Sequence, residues 1–167
     1  EAAKQPWYNN TLFILTADHP GPPLPEHEFY QEQVGAHSTW MVVYKPNGEF
    51  KGTSDMVVQQ TDIMPTVLDY IGYRGKFMAF GNSIFNKTAE RYAFNFHTPD
   101  YMLLDNSFFL QFNGGHAIGL YDYKRDSTMS NNLMYEFPDI TTSMEDKLKA
   151  IIQTHHHVMI NDKLVAE

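Results

Sequence analysis

The sequence places an acid and an imidazole side by side, Asp18 and His19, directly after the apolar run 11–17. A run of this length, bounded by polar and turn residues, predicts a strand that is buried on both faces. Open α/β sheets bind ligands just beyond the carboxyl ends of such strands. A carboxylate and an imidazole are both good ligands for divalent transition metals. The pair is therefore a candidate metal site, and the alternative is a turn-forming Asp beside a surface His.

The remaining histidines give weaker signals. Three of them are consecutive, His155–His157, on a predicted helix. Successive helical side chains point about 100° apart, so these three cannot chelate one ion together. We expect a helix-surface run with His155 partly buried. His97 and His116 lie among short aromatic segments, where we expect structural roles.

Around these residues, the first half of the chain is predicted to alternate strands and helices. A Pro-rich segment at 20–25 predicts an irregular loop. A short helix is expected within 26–35, and a second buried strand at 39–44. The segment 57–72 predicts a helix capped by Thr61 or Asp62 and ended by Gly72. Its expected apolar face consists of Ile63, Val67, Leu68 and Ile71.

The second half changes character. Aromatic segments at 91–98, 101–104, 108–112 and 118–123 are separated by turn signals, so they predict antiparallel strands. A closing helix is expected at 145–160. The predicted fold class is α/β, with buried strands and helices, then a small antiparallel sheet and a C-terminal helix. We predict a division into residues 1–90 and 91–167.

Composition limits the function classes. Hydrophobic residues make up 43% of the 167 positions, enough for a packed core. The net charge of −8 argues against nucleic acid as a partner, because phosphate recognition needs a basic surface. Without cysteine, a thiolate metal site or Cys nucleophile is excluded within these residues.

No apolar run approaches a membrane span, and no signal peptide is evident. The chain opens without Met, and we expect it to be part of a longer protein.

Four segments together resemble the alkaline phosphatase and sulfatase superfamily. The segment 11–19 is similar to that family's strand ending in Thr-Ala-Asp-His or Thr-Ser-Asp-His, and 40–46 is similar to a strand ending in Tyr-x-Pro. The segment 60–72 is similar to its Asp-Ile-x-Pro-Thr helix, and 81–85 to its Gly-x-Ser-Leu/Ile-Phe element. The order matches, over roughly residues 5–90. The similarity is greatest to the lipoteichoic acid synthase-like branch of phosphoglycerol and phosphoethanolamine transferases.

This resemblance implies a C-terminal portion of an alkaline phosphatase-like fold, with Asp18 and His19 as ligands of a divalent metal (Mn, Zn, Mg or Ca). It implies in-line attack on an anionic phospho- or sulfo-ester by a metal-activated hydroxyl, through a covalent ester. The nucleophile and further ligands are expected upstream, so no catalytic residue is predicted in this chain, which we expect to be inactive alone. The resemblance also implies an extracytoplasmic or periplasmic catalytic domain at the cell membrane, with its anchor upstream.

The chain also departs from the family pattern. Pro20 stands where the family has Gly or a small polar residue. A further family histidine, about a dozen residues after the pair, has no match at that spacing. The nearest candidates for contacting substrate are His27 and His37, for which loop or strand-edge histidines are the alternative.

The alternative function is a non-catalytic carbohydrate- or protein-binding module. The aromatic residues of the predicted antiparallel strands would stack on sugars: Tyr92, Phe94, Phe96, Tyr101, Phe108, Phe109 and Phe112. Strict alternation, as in Tyr92, Phe94 and Phe96, is more typical of a core-facing strand.

Overall fold

A computed structural model describes residues 1–22, 26–31 and 33–165. These residues form two compact units, Glu1–Asp55 and Met56–Glu167. The predicted α/β class, with a small antiparallel sheet and a C-terminal helix, is confirmed. The division near residue 90 stays a prediction. Positions 23–25 of the irregular loop expected at 20–25 lie outside the described residues.

In the first unit, strands β1 (Phe13–Thr16) and β2 (Met41–Tyr44) pair in a two-stranded antiparallel sheet. Between them lie a 3-10 turn at Glu28–Gln31 and the four-residue helix α1, Gln33–Ala36. These two turns confirm the short helix expected there. Single 3-10 turns at Ala2–Lys4 and Tyr8–Asn10 precede β1.

The prediction that these strands are buried is wrong for the described chain. Leu15 and Val42 are cross-strand partners and therefore share one face of the sheet. Their side chains are 48% and 44% exposed, and Trp40, just before β2, is 64% exposed. Within the described ranges, β2 is the strand that pairs with this apolar run, and apolarity alone does not say which face of the sheet is covered.

Aromatic contacts fix the start of β1. The ring centroid of Phe13 lies 5.7 Å from that of Tyr8 and 5.8 Å from that of Tyr44. The Tyr8 and Tyr44 hydroxyls are hydrogen-bonded at 2.7 Å. Because Phe13 begins the strand, this cluster holds the end of the ladder opposite to Asp18.

In the second unit, a 3-10 turn at Gln60–Asp62 leads into helix α2, Ile63–Tyr70. The predicted helix is confirmed, and Gly72 follows it with a φ of +72°, as expected for a helix-ending glycine. Its expected apolar face is partly wrong. Ile71 is 66% exposed, whereas Thr66 is fully buried.

Thr66 is buried because its hydroxyl has partners on both sides. The hydroxyl donates to the Asp62 carbonyl at 2.6 Å and accepts from the Ile84 amide at 3.1 Å. The Asp62 carboxylate accepts from the amides of Gln59 and Asn82 at 3.0 and 2.7 Å. These bonds tie the start of α2 to the segment that follows it, since buried polar groups need partners.

The four-stranded antiparallel sheet has the order β3-β4-β5-β6, which confirms the antiparallel region. The strands are Tyr92–His97, Asp100–Asp105, Phe109–Phe112 and Ala117–Tyr121. Helix α3, Pro138–Ile160, packs on this sheet. The core between them is mainly aliphatic and includes Leu103, Leu110, Leu120 and Leu148, each at most 1% exposed. Among the expected stacking residues, Phe109 and Phe112 are buried, while Phe96 is 51% exposed.

Helix α3 begins seven residues before its expected start at 145, and its first turn carries N-terminal signals of its own. Pro138 suits the first turn of a helix, where the missing N–H is not needed. The Thr141 hydroxyl then donates to the Phe137 carbonyl at 2.9 Å. None of the helices in the described ranges is long and apolar enough to span a membrane.

Candidate functional site

Asp18 and His19 lie directly beyond the carboxyl end of β1, as predicted. Their side chains are 89% and 78% exposed. The His19 amide donates to Oδ1 of Asp18 at 3.0 Å, so the Asp18 carboxylate is turned toward the residue that follows it. The strand end thus presents an acid and an imidazole to the same side.

The His19 ring has a defined orientation. Its Nδ1 lies 2.7 Å from the carbonyl oxygen of Pro20. A carbonyl oxygen only accepts, so in the neutral ring Nδ1 carries the proton and Nε2 presents its lone pair. Metal-bound histidines use this arrangement, in which one ring nitrogen binds the ion and the other donates to a carbonyl or carboxylate. Sequence reasoning noted Pro20 only as a departure and missed this contact.

The spacing of the two candidate donors suits one metal ion. Nε2 of His19 lies 3.6 Å from Oδ2 of Asp18. Two ligands that each lie about 2.0–2.2 Å from a tetrahedral ion are about 3.4 Å apart. A neutral imidazole and a carboxylate also form a donor set suited to Zn²⁺ or Mn²⁺. The residues present therefore fit a divalent ion.

Two ligands alone make an incomplete site. No group of three or more His, Cys, Asp or Glu residues suited to an ion occurs within residues 1–22, 26–31 and 33–165. Catalytic zinc sites use three protein ligands, so Asp18 and His19 supply part of a coordination shell.

His37 and His27 are the two predicted substrate-contacting residues. Neither forms a three-residue metal cluster with the pair among the described positions. His37 is half-buried, and its Nδ1 lies 2.7 Å from the Gln33 carbonyl. His27 is exposed, with its ring edge-on to Tyr30 at 6.2 Å.

The sheet register favours His37 over His27. Thr16, at the end of β1, pairs with Met41, at the start of β2. The chain that carries His37 therefore enters the sheet at the same end at which the chain carrying Asp18 leaves it. His27 lies before α1, further along the chain from β2, and the strand pairing does not constrain its position.

The other histidines differ in part from expectation. His155 is exposed rather than partly buried, and its ring lies 5.6 Å from that of Phe80. Its helix faces the sheet through Leu148 and neighbouring aliphatic residues, which leaves the His155–His157 run at the surface. His116 is exposed; across the β5–β6 turn its carbonyl accepts from the Asn113 amide, and its own amide donates to Oδ1 of Asn113. His97 is exposed at the end of β3.

The fold is that of the alkaline phosphatase superfamily. Over 99% of its length, the chain matches a protein of that superfamily from Vibrio parahaemolyticus, with a TM-score of 0.75 and 18% sequence identity, and it covers 39% of that chain. In sequence it is similar to arylsulfatase K of Mus musculus, with 26% identity over 166 residues, 85% of this chain and 30% of the relative. For the Bos taurus protein the identity is 25%, over 85% of this chain and 31% of the relative.

These similarities support the predicted superfamily, and the relatives found by sequence are sulfatases. No family model matches the sequence. The chain spans about 30% of the length of the curated relatives it matches. The lipoteichoic acid synthase-like branch, the placement as a C-terminal portion and the roles of the site residues remain predictions.

Proposed function

We propose that this chain is the metal-binding C-terminal part of a hydrolase or transferase that acts on phosphate or sulfate esters. The observation that carries the proposal is the geometry of Asp18 and His19, 3.6 Å apart at the end of β1, in a chain with the alkaline phosphatase superfamily fold. Asp18 and His19 bind one divalent ion. The remaining ligands and the nucleophile come from outside these 167 residues, so the chain is inactive alone.

A bound divalent ion would stabilise negative charge on the ester and lower the pKa of an attacking hydroxyl. The chain's own residues orient the two donor atoms that would hold the ion. Oδ2 of Asp18 and Nε2 of His19 face one position, and the Pro20 carbonyl holds the His19 ring. With a net charge of −8, the chain does not attract an anionic ester by its overall field, so local cationic groups must do so. His37 is the first candidate for a substrate contact and His27 the second.

The branch and location follow from the resemblance. The proposal assigns the full-length protein to the lipoteichoic acid synthase-like transferases, which face outward from a membrane anchor. Its substrates are then phosphoglycerol or phosphoethanolamine donors of the cell envelope. Arylsulfatase K relatives make a sulfate ester the competing substrate class.

The test uses the full-length protein, with bound metal and ester turnover measured together. Asp18→Ala and His19→Ala are expected to lose bound metal and to reduce turnover by at least a hundredfold. His156→Ala is the matched control, because it removes an exposed histidine from α3 and leaves the pair intact. Full metal content and turnover in both pair variants would overturn the proposal.

Substrate class is resolved by assaying the same protein on matched aryl phosphate and aryl sulfate esters and on phosphoglycerol lipid. Lipid turnover with release of diacylglycerol supports the transferase branch. Preference for the sulfate ester supports a sulfatase and removes the branch assignment, while the metal site stands.

A sugar-binding module is a second candidate, favoured by one cross-strand aromatic pair in which the Phe96 ring is exposed. Phe96 is 51% exposed, and its ring centroid lies 4.6 Å from that of Tyr101 across β3 and β4. Exposed rings of this kind stack on sugars. Glycan-array binding that survives chelation and is lost in Phe96→Ala would support the module. Absence of binding would remove it.

A further inference from the structure

Turn residues of this chain repeatedly use one local hydrogen bond. The side-chain oxygen of an Asn or Asp accepts from the amide N–H two residues later, which closes an Asx turn. Asp105 does so with Ser107 at 2.7 Å, and Asn113 with Gly115 at 2.9 Å. The same bond occurs at Asn47, Asn86 and Asn132. An Asp at a turn in this chain is therefore readily engaged by its own backbone.

Asp18 is in the same local situation, since it begins the turn that leaves β1. Two residues later stands Pro20, which has no N–H. The donor that would close an Asx turn on the Asp18 carboxylate is thus missing by covalent structure. The carboxylate instead accepts from the His19 amide through Oδ1, while Oδ2 lies 3.6 Å from Nε2 of His19.

Pro20 also acts on the imidazole. Its carbonyl oxygen is the partner of His19 Nδ1 at 2.7 Å. The backbone torsions between this ring and that oxygen include ψ of His19 and φ of Pro20. Proline fixes its own φ near −65° and restricts ψ of His19 to extended values. Proline therefore narrows the range of positions that its carbonyl can take relative to the ring before any ion binds.

We propose that Pro20 is a positioning residue of the Asp18–His19 pair, a role that rests on the proposed function. It withholds the N–H that would engage Asp18 and holds the carbonyl that fixes the proton on Nδ1 of His19. The ion then meets two donors that are already oriented, so less free energy is lost in ordering them.

The test compares divalent-metal affinity of the full-length protein and its variants by titration with Zn²⁺ and Mn²⁺. Pro20→Ala restores an N–H and frees φ, and we expect the dissociation constant to rise about three- to tenfold. Pro20→Gly loosens the backbone further and is expected to weaken binding more. Pro22→Ala is the matched control, because it removes a proline from the same loop and leaves Pro20 in place.

A second measurement separates positioning from folding. With Co²⁺ as the probe, the visible absorption of the bound ion reports ligand geometry, and we expect altered bands in Pro20→Ala with an unchanged midpoint of thermal unfolding for the apo protein. Unchanged affinity and unchanged Co²⁺ bands in both Pro20 variants would overturn the role of Pro20. If His19→Ala also kept full affinity, the metal site itself would fail, so the two failures are distinguishable.

Discussion

Nε2 of His19 lies 3.6 Å from Oδ2 of Asp18, and both side chains are largely exposed. Exposed polar residues outside the core contribute little to the free energy of unfolding. The pair is therefore oriented for binding while adding little to folding. The metal-binding role that we propose for the pair can therefore be tested by substitutions that leave the protein folded.

Asp18→Asn is the sharpest such substitution. It keeps a side-chain oxygen that accepts from the His19 amide but removes the negative charge that attracts a cation. We expect metal affinity of the full-length protein to fall at least tenfold, with the free energy of unfolding of the apo protein within about 0.5 kcal/mol of wild type. Metal titration and denaturant unfolding check the two parts. Equal affinity in both proteins would exclude Asp18 as a ligand.

Thr66→Val tests the polar connection between α2 and the segment after it. Valine has nearly the same shape but cannot accept from the Ile84 amide, which Thr66 does at 3.1 Å. An unsatisfied buried N–H costs about 1–3 kcal/mol, so we expect that loss of stability and faster hydrogen exchange at the Ile84 amide. Thr66→Ser keeps the hydroxyl and is expected to cost only about 1 kcal/mol for its lost methyl group. A larger cost for serine than for valine would contradict this assignment.

Glu145 joins α3 to β6 through a contact that we expect to be sensitive to acid. Its carboxylate is held by Lys149 and by the Ala117 amide at 2.7 Å, and these partners lower the pKa of Glu145 from its usual value of 4.5. A carboxyl whose pKa is lowered by folding stabilises the fold above its unfolded value, and this contribution is lost as the pH falls through the lower native value.

In Glu145→Gln we therefore expect lower stability at neutral pH and a flatter decline below about pH 4.5. Hydrogen exchange at the Ala117 amide, followed against pH, measures the contact directly. Glu136→Gln is the control, since Glu136 is exposed, and it should retain the wild-type acid profile. An unchanged profile in Glu145→Gln would show that the contact does not contribute.

The environment of Tyr123 leads us to expect a loss of stability at alkaline pH. Its hydroxyl donates to the Asp105 carbonyl at 2.9 Å, and burial, followed by the charges of Asp105 and Asp122, raises the pKa of Tyr123 from 10.0 to about 12. A raised pKa stabilises the fold below the unfolded value and loses that contribution as the pH rises through the native value.

Stability should therefore fall between about pH 10 and pH 12, and Tyr123→Phe should remove part of that decline while costing about 0.5–1.5 kcal/mol at neutral pH. Ultraviolet absorbance of the phenolate and denaturant unfolding check both effects. Tyr135→Phe, at a side chain 87% exposed, is the control. Ionisation of Tyr123 near its ordinary pKa would contradict the prediction.

The sequence by itself determined the local elements and the identity of the candidate ligands. Alternation and turn residues predicted the antiparallel strands of the second unit, and Gly72 marked the end of α2. These features depend on neighbouring residues, so they can be read from the chain order. Asp18 and His19 were identified in the same way, from an apolar run that ends in two polar residues.

Only the tertiary structure decided which faces are covered and how the candidate donors are oriented. The run 11–17 is apolar enough to predict burial on both faces, yet Leu15 is 48% exposed, because no described element packs over that face of the sheet closely enough to bury it. Likewise, the Pro20 carbonyl bonds to the His19 ring, a contact that also depends on torsions that the residue types alone do not specify. Burial and orientation depend on what packs or turns nearby in space, which chain order does not encode locally.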